Sequence, residues 1–235
     1  MKLRLVPAVI LIALAGCGSS THTSSIPSGG DGGASSSSSA TATTSTAASS
    51  APAGCKSVAA PKPKPDGKLK KPSAKLGPGK TWTATVTTNC GTFAFQLDVK
   101  HAPNASASIA YLAGRHFFDG TVFHRIVPGF VIQGGDPTGS GTGGPGYSTV
   151  DKPPSNAAYK RGVVAMAKSG SEPAGSAGSQ FFVVTGADAS LPPDYAVVGH
   201  VTKGLDVVER IGKLGDQSEQ PTAVVEIQSF RVTSS

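Results

Sequence analysis

A closed antiparallel barrel of eight short strands with two flanking helices is the fold class that this 235-residue sequence predicts. Residues 81–99 alternate polar and apolar side chains on either side of an Asn89-Cys90-Gly91 turn, the mark of a half-buried hairpin. Further apolar runs are short and separated by Gly- and Pro-rich turns, and only two segments repeat apolar residues at helical spacing. This pattern fits an all-β barrel better than a parallel α/β sheet.

Taken in order, Thr81–Thr88 sets Trp82, Ala84 and Val86 against threonines, and Thr92–Val99 does the same with Phe93, Phe95, Leu97 and Val99. Pro103 opens a helix with Ala105, Ile109, Leu112 and Ala113 on one face, and Gly114 stops it. Strands are expected at Thr121–Ile126, Phe130–Gln133, Gly162–Ala167, Gln180–Thr185 and Ala196–Val201. A second helix over Gly204–Lys213 precedes a closing strand, Ala223–Thr233. Residues 81–235 form one domain, and there is no internal repeat.

The amino-terminal part is not of this kind. Lys2 and Arg4 precede an apolar run, Leu5–Ala15, too short to span a membrane and shaped like a secretion signal. It ends in Leu14-Ala15-Gly16-Cys17, which resembles a bacterial lipobox. That resemblance implies a signal peptide over 1–16, a lipid on Cys17 and an extracytoplasmic protein anchored to a membrane of the bacterial envelope. Residues 17–54, nearly all Ser, Thr, Ala, Gly and Pro, read as a disordered linker. With Cys17 set aside, Cys55 and Cys90 remain, and a disulfide is their simplest pairing in an oxidising compartment. It would remove on the order of 4 kcal/mol of unfolded-state entropy.

Charge separates the next segment from the barrel. Residues 55–80 form an arm with eight lysines (56, 62, 64, 68, 70, 71, 75, 80) against Asp66 alone, whereas residues 81–235 carry 11 Lys and Arg against 12 Asp and Glu. The arm is broken by prolines and has no interleaved aromatics, so it reads as a solvated linker and not as a nucleic-acid surface.

Several chemistries are excluded. Gly139-Ser140-Gly141-Thr142-Gly143-Gly144 has dinucleotide-loop spacing, but Pro145, Gly146 and Tyr147 follow where a helix must start. There is no G-x-S-x-G elbow. The five histidines show no metal-ligand spacing, so neither a metal nor a cofactor is expected. By itself, His124 reads as a structural imidazole with its hydrogen bonds satisfied. Arg125 and Gln133 stand out, because they bracket the Pro128-Gly129 turn and the apolar residues Phe130, Val131 and Ile132. On a regular strand Arg125 faces away from Val122, His124 and Ile126.

The stretch F-H-R-I-V-P-G-F-V-I-Q-G-G-D (123–136), with G-T-G-G (141–144), M-A (166–167), G-S-Q-F-F (178–182) and V-V-G-H-V (197–201), resembles the cyclophilin-type peptidyl-prolyl isomerases, with the motifs in family order. The resemblance implies a cyclophilin-like barrel that speeds rotation about X-Pro bonds in exported polypeptides, as a monomer. The rival reading is a non-catalytic proline-peptide binder or holdase, for which a cation at position 125 has no purpose. Carried over by motif, Arg125, Phe130 and Gln133 are catalytic: Arg125 is the cation, and Gln133 orients it and meets the substrate backbone. Val131, Phe182 and Leu191 line the proline pocket with Phe130, and Tyr195 adds a ring. Ala167 and Lys168 offer main-chain hydrogen bonds, Thr142 and Gln180 line the adjoining groove, and His124 supports the rim. The chain departs from the family pattern at Val131, often Met, and at Ser190, where many members have Trp. It departs also at Lys168, in place of Asn, ahead of a longer 168–178 segment.

Overall fold

The computed structural model describes residues 52–235; the expected signal peptide, Cys17 and most of the expected linker lie outside them. Ten strands and two helices follow in the order β1 (Trp82–Thr88), β2 (Gly91–Leu97), α1 (Pro103–Gly114), β3 (Thr121–Val127), β4 (Val131–Asp136), β5 (Thr149–Val150), β6 (Val163–Met166), β7 (Ser176–Ala177), β8 (Phe181–Val184), β9 (Val197–Lys203), α2 (Leu205–Gly212) and β10 (Glu226–Ser234). Eight of the strands close a barrel in the order β1-β10-β3-β4-β8-β6-β9-β2, every pairing antiparallel. The expected barrel is therefore present. The two-residue strands β5 and β7, which pair with each other, were not anticipated.

The barrel interior holds Phe93, Phe95, Phe123, Phe181 and Phe230, and Phe118 joins them from the loop after α1. α1 buries Ala105, Ile109, Leu112 and Ala113 as its spacing predicts, and α2 buries Val207, Val208 and Ile211. Residue Ala102 supplies no side-chain cap to α1; instead the distant carboxylate of Asp151 accepts the Ala105 N–H at 2.6 Å. An anion at this end also complements the helix dipole.

Strand β3 breaks its alternation. Thr121 and Phe123 face inward, but so does Ile126, because the pairing with β4 shifts register on both sides of Phe123. Two offset irregularities result, one absorbing Gly135 in β4 and the other His124 in β3. A regular strand would put Arg125 on the side of Phe123, inside the barrel. The bulge re-aims it to the outer face, opposite Gln133. Phe130, expected inside the fourth strand, instead closes the preceding turn, its N–H on the Val127 carbonyl at 3.0 Å.

The arm corrects a second expectation. It is laid along the barrel and not solvated throughout: Cys55 is bonded to Cys90, and Leu69 and Leu76 pack on the core. The half-buried Lys64 donates to the carbonyls of Phe117 (2.9 Å) and Asp119. Its other lysines are exposed, so the chain's excess charge is carried by a strap fixed to the surface.

Candidate active site

Strands β3, β4, β8 and β6 are covered on both sides. Alternate residues point into the barrel core; the others, Val131, Val163, Ala165, Phe182 and Val184, form a second cluster on the outer face with Tyr159. Val127 at the end of β3 and the turn residue Phe130 flank this cluster, as do Ala167, Leu191 and Tyr195. These side chains and the polar groups beside them shape a cavity of about 300 Å³ lined by Arg125, Phe130, Val131, Gln133, Ala167, Lys168, Phe182, Leu191 and Tyr195. All nine were expected at the site, and the fold brings them together from three strands (β3, β4 and β8) and three loops. A neighbouring groove of about 550 Å³ shares Gln133, Ala167 and Lys168 and adds Thr142 and Gln180, together with Gly141–Ser148.

A line of polar side chains joins the two. Arg125 is about one-third exposed; its Nε donates to Glu219 Oε2 at 2.6 Å and its Nη1 to Gln133 Oε1 at 3.4 Å. Gln133 Nε2 donates to Gln180 Oε1 at 3.0 Å, and Gln180 Nε2 donates to the carbonyls of Gly141 (2.9 Å) and Gly143 (3.0 Å). Each amide is thereby oriented by its neighbour, and the guanidinium is held at the rim of an apolar hollow.

The loop carrying those glycine carbonyls is organised by Asp136, whose carboxylate is fully buried. It accepts the Thr138 N–H (2.7 Å) and hydroxyl (2.8 Å) and the N–H groups of Gly141 (2.6 Å) and Gly143 (3.1 Å). Burial alone would raise its pKa, but these bonds, those from Thr138 foremost, hold it below the ordinary carboxylate value. The fit leaves no slack: a Cβ at position 143 would sit 2.2 Å from Asp136 Oδ1.

His124 does not behave as a satisfied structural imidazole. Both ring nitrogens are buried and neither makes a well-formed hydrogen bond among the described residues, although the Val122 main chain and the Gln180 side chain stand near enough to favour the protonated ring; the ring lies against Gly141. Burial lowers its pKa, more than the Asp136 carboxylate raises it, so the ring stays neutral behind Arg125.

Two other positions differ from expectation. Ala167 donates its N–H to the Gln180 carbonyl at 2.9 Å, so that donor serves the fold. The Lys168 side chain, only 3% exposed, forms an ion pair with Asp194 at 2.7 Å and donates to the carbonyls of Ser169 (3.2 Å) and Glu172 (3.1 Å). Its ammonium also stands 5.5 Å from the centre of the Tyr195 ring. Lys168 thus ties the 168–172 loop to the 194–195 loop across the mouth of the site.

Three contributors were not picked out from the sequence. Glu219 sits in the turn before β10, in a left-handed conformation (φ 65°), and its carbonyl accepts the Ile126 N–H at 3.0 Å. Tyr159, fully buried, donates its hydroxyl to the Tyr195 carbonyl (2.7 Å) and accepts the Tyr195 N–H (3.0 Å). Asp136 lies within the quoted motif but had no role assigned. Neither Glu219 nor Tyr159 belongs to a periodic segment, and both act across long sequence separations. The one available signal was the carboxylate of Asp136 following two glycines.

Known proteins resemble this chain in sequence and in fold. Residues 83–232 match the family described as cyclophilin type peptidyl-prolyl cis-trans isomerase/CLD. Peptidyl-prolyl cis-trans isomerase A of Mycobacterium tuberculosis is 38% identical over 180 residues, which is 68% of this chain and 97% of that protein. Peptidyl-prolyl cis-trans isomerase-like 1 of Neurospora crassa is 38% identical over 152 residues, 63% of this chain and 91% of that one. A crystal structure of a cyclophilin type peptidyl-prolyl cis-trans isomerase from Cryptosporidium parvum superposes with a TM-score of 0.61 at 29% identity, covering 66% of this chain and 99% of that one. A second structure of the same parasite protein was obtained in the presence of the dipeptide Ala-Pro. This chain belongs to the cyclophilin-type peptidyl-prolyl cis-trans isomerases.

Proposed function

We propose that this isomerase turns over X-Pro bonds of exported polypeptides outside the cytoplasm, as a monomer held to a membrane by a lipid on Cys17, with Arg125 as its catalytic cation. One observation carries the catalytic assignment. The guanidinium stands at the edge of an apolar cavity, fixed through Nε and Nη1, while Nη2 has no hydrogen-bond partner among the described residues.

The chemistry follows from amide resonance. Rotation about the peptide bond meets a barrier of about 20 kcal/mol, and the X-Pro bond interconverts in tens to hundreds of seconds unaided. Twisting the bond ends the resonance and localises a lone pair on the prolyl nitrogen. With the ring seated against Phe130, Val131, Phe182 and Leu191, Arg125 donates to the substrate carbonyl and to the pyramidal nitrogen. Those bonds are stronger in the twisted state than in either planar isomer, and only such differential binding raises the rate. Gln133, already oriented by Gln180, holds the guanidinium and meets the substrate backbone. No group gains or loses a proton.

Arg125→Ala tests this directly. The variant is expected to lose about 10²–10³-fold in kcat/KM on an Ala-Pro peptide, the worth of one charge-assisted contact in a preorganised site. A rate equal to that of the unmodified protein would overturn the assignment.

The location rests on Lys2, Arg4, the apolar run Leu5–Ala15 and the L-A-G-C sequence ending at Cys17. The Cys55–Cys90 disulfide is in keeping with an oxidising compartment. Mass spectrometry of the amino-terminal peptide is expected to find diacylglyceryl-modified Cys17 as its first residue; any other start would remove the anchor.

A further inference from the structure

The wall of the second groove runs through Gly141–Gly146, within a stretch (139–146) that has five glycines among eight residues. Glycine loses more backbone freedom on ordering than any other residue, so the shape of this wall depends on what holds it from outside. Asp136 holds it from beneath and Gln180 from the side of the site. The arm holds the third side. The Gly144 N–H donates to Asp66 Oδ1 at 3.0 Å, the Gly67 N–H to the Gly144 carbonyl at 2.8 Å, and the Leu69 N–H to the Pro145 carbonyl at 3.0 Å.

Here the two backbones touch. A Cβ at position 67 would lie 2.7 Å from the Pro145 backbone, and one at position 146 would lie 2.3 Å from the Gly67 carbonyl oxygen. The arm is fixed on both sides of this contact. Upstream, the Lys64 N–H donates to the Pro137 carbonyl at 2.9 Å and its ammonium to two further carbonyls; downstream, Leu69 and Leu76 pack on the barrel core. The contact is thus part of a strap closed by the Cys55–Cys90 disulfide at one end and by the start of β1 at the other.

We infer that Asp66, Gly67 and Leu69 position the Gly141–Gly146 wall, so that the arm sets how tightly the enzyme holds substrate residues beyond the X-Pro pair. The arm lies outside the matched family region, so this control is an addition to the barrel. No residue of 141–146 lines the Arg125 cavity, so a dipeptide seated there is expected to leave the wall untouched and a longer peptide to meet it. The inference rests on the reading of that cavity as the proline site.

The test uses the full chain, with Gly67→Ala to push the backbones apart and Asp66→Ala to remove one bond without steric conflict. Isomerisation is measured on a blocked Ala-Pro dipeptide anilide and on an octapeptide with the same Ala-Pro at its centre. For Gly67→Ala the octapeptide KM is expected to rise about 3–10-fold, the worth of one or two neutral hydrogen bonds, with kcat within about twofold. Asp66→Ala is expected to follow in the same direction with a smaller rise. The dipeptide loses less than about twofold with either variant, and hydrogen exchange accelerates at Gly143 and Gly144 but not in β4 or β8. An unchanged octapeptide KM, or equal losses on both substrates, would overturn the role of the arm. Failure of the underlying reading is separate: it would appear as Arg125→Ala retaining full activity on the dipeptide.

Discussion

The inner and outer apolar clusters of this domain are made by the same strands, residue by residue. In β8, Phe181 and Val183 point into the barrel while Phe182 and Val184 point out; in β6, Val164 and Met166 go inward and Val163 and Ala165 outward. The inner cluster is sealed by strands all round and by two helices, and its aromatic rings meet edge to face at about 6 Å. The outer cluster is covered only by loops, and the uncovered part is the cavity beside Arg125. A sheet buried on both faces reads as a continuous apolar run, whereas β1, with one face toward solvent, keeps its alternation. The difference teaches where to look: in an antiparallel barrel, runs such as Phe181–Val184 need a reason for their second apolar face, and here the reason is the site.

Neighbouring phenylalanines give the widest test of this division. Phe181→Ala opens a void in the sealed core and is expected to cost about 3–5 kcal/mol of unfolding free energy, read by urea denaturation. The rate per folded molecule should change little. Phe182→Ala, one residue on, removes a ring that already lines a cavity, so about half that cost is expected. Its main effect is instead a KM raised about tenfold or more for an Ala-Pro peptide, as 1.4 kcal/mol of lost apolar contact would give. Equal stability losses, or a KM effect for Phe181→Ala alone, would break the distinction.

The same physics explains what could be read in advance. Period-2 alternation and turn residues mark β1, β2 and the outline of the remaining barrel strands, because one buried face imposes that period. Six of the nine side chains lining the cavity beside Arg125 lie within the family motifs, and Lys168, Leu191 and Tyr195 follow from their positions relative to those motifs. The bulge that turns Arg125 outward was not legible, since it depends on the pairing of Phe123 with Gly134 and not on either strand alone. The docking of the arm escaped notice for a related reason. Its lysines dominate the composition, whereas, beyond Cys55 and Lys64, the groups that fix it are backbone amides, Asp66, Leu69 and Leu76, which leave no periodic trace. Lys168 was read through its main chain, although its side chain does the structural work by reaching Asp194.

Acid sharpens the comparison from another side, because two buried titratable groups, Asp136 and His124, stand beside the outer site. Asp136 has a folded pKa below its unfolded value, so the unfolded chain binds more protons in the interval between them. Its contribution is present above about pH 4 and lost as pH falls through the folded value. His124, also depressed, acts in the same direction at higher pH: its contribution is complete above about pH 6.5 and declines below. Asp136→Asn places an NH₂ group among N–H donors and is expected to destabilise by about 2–3 kcal/mol at pH 7. That deficit should shrink as pH falls below about 4, where the unfolded chain takes up a proton that the native carboxylate resists. A deficit independent of pH in urea melts would show that the carboxylate charge does not organise the glycine loop.

The smallest effect concerns Glu219, and it separates fixing a cation from supplying one. Glu219 holds a left-handed backbone that a non-glycine residue adopts only at a cost of about 1 kcal/mol or more. The turn is maintained by Asp216, whose Oδ1 accepts the Ser218 N–H and hydroxyl at 2.8 and 2.7 Å and the Gln220 N–H at 3.0 Å. That arrangement brings the carboxylate to Arg125 Nε. Because the pair is half-exposed, its contribution to stability is expected to be below about 1 kcal/mol. On the proposed role of Arg125, Glu219 orients the guanidinium for one approach to the substrate carbonyl. Glu219→Ala is therefore expected to lower kcat about 3–10-fold with KM nearly unchanged, and Glu219→Gln, which still accepts a hydrogen bond, to recover most of the rate. Rates in Glu219→Ala equal to or above those of the unmodified enzyme would mean that the carboxylate competes with substrate for Arg125, and the orienting role would be lost.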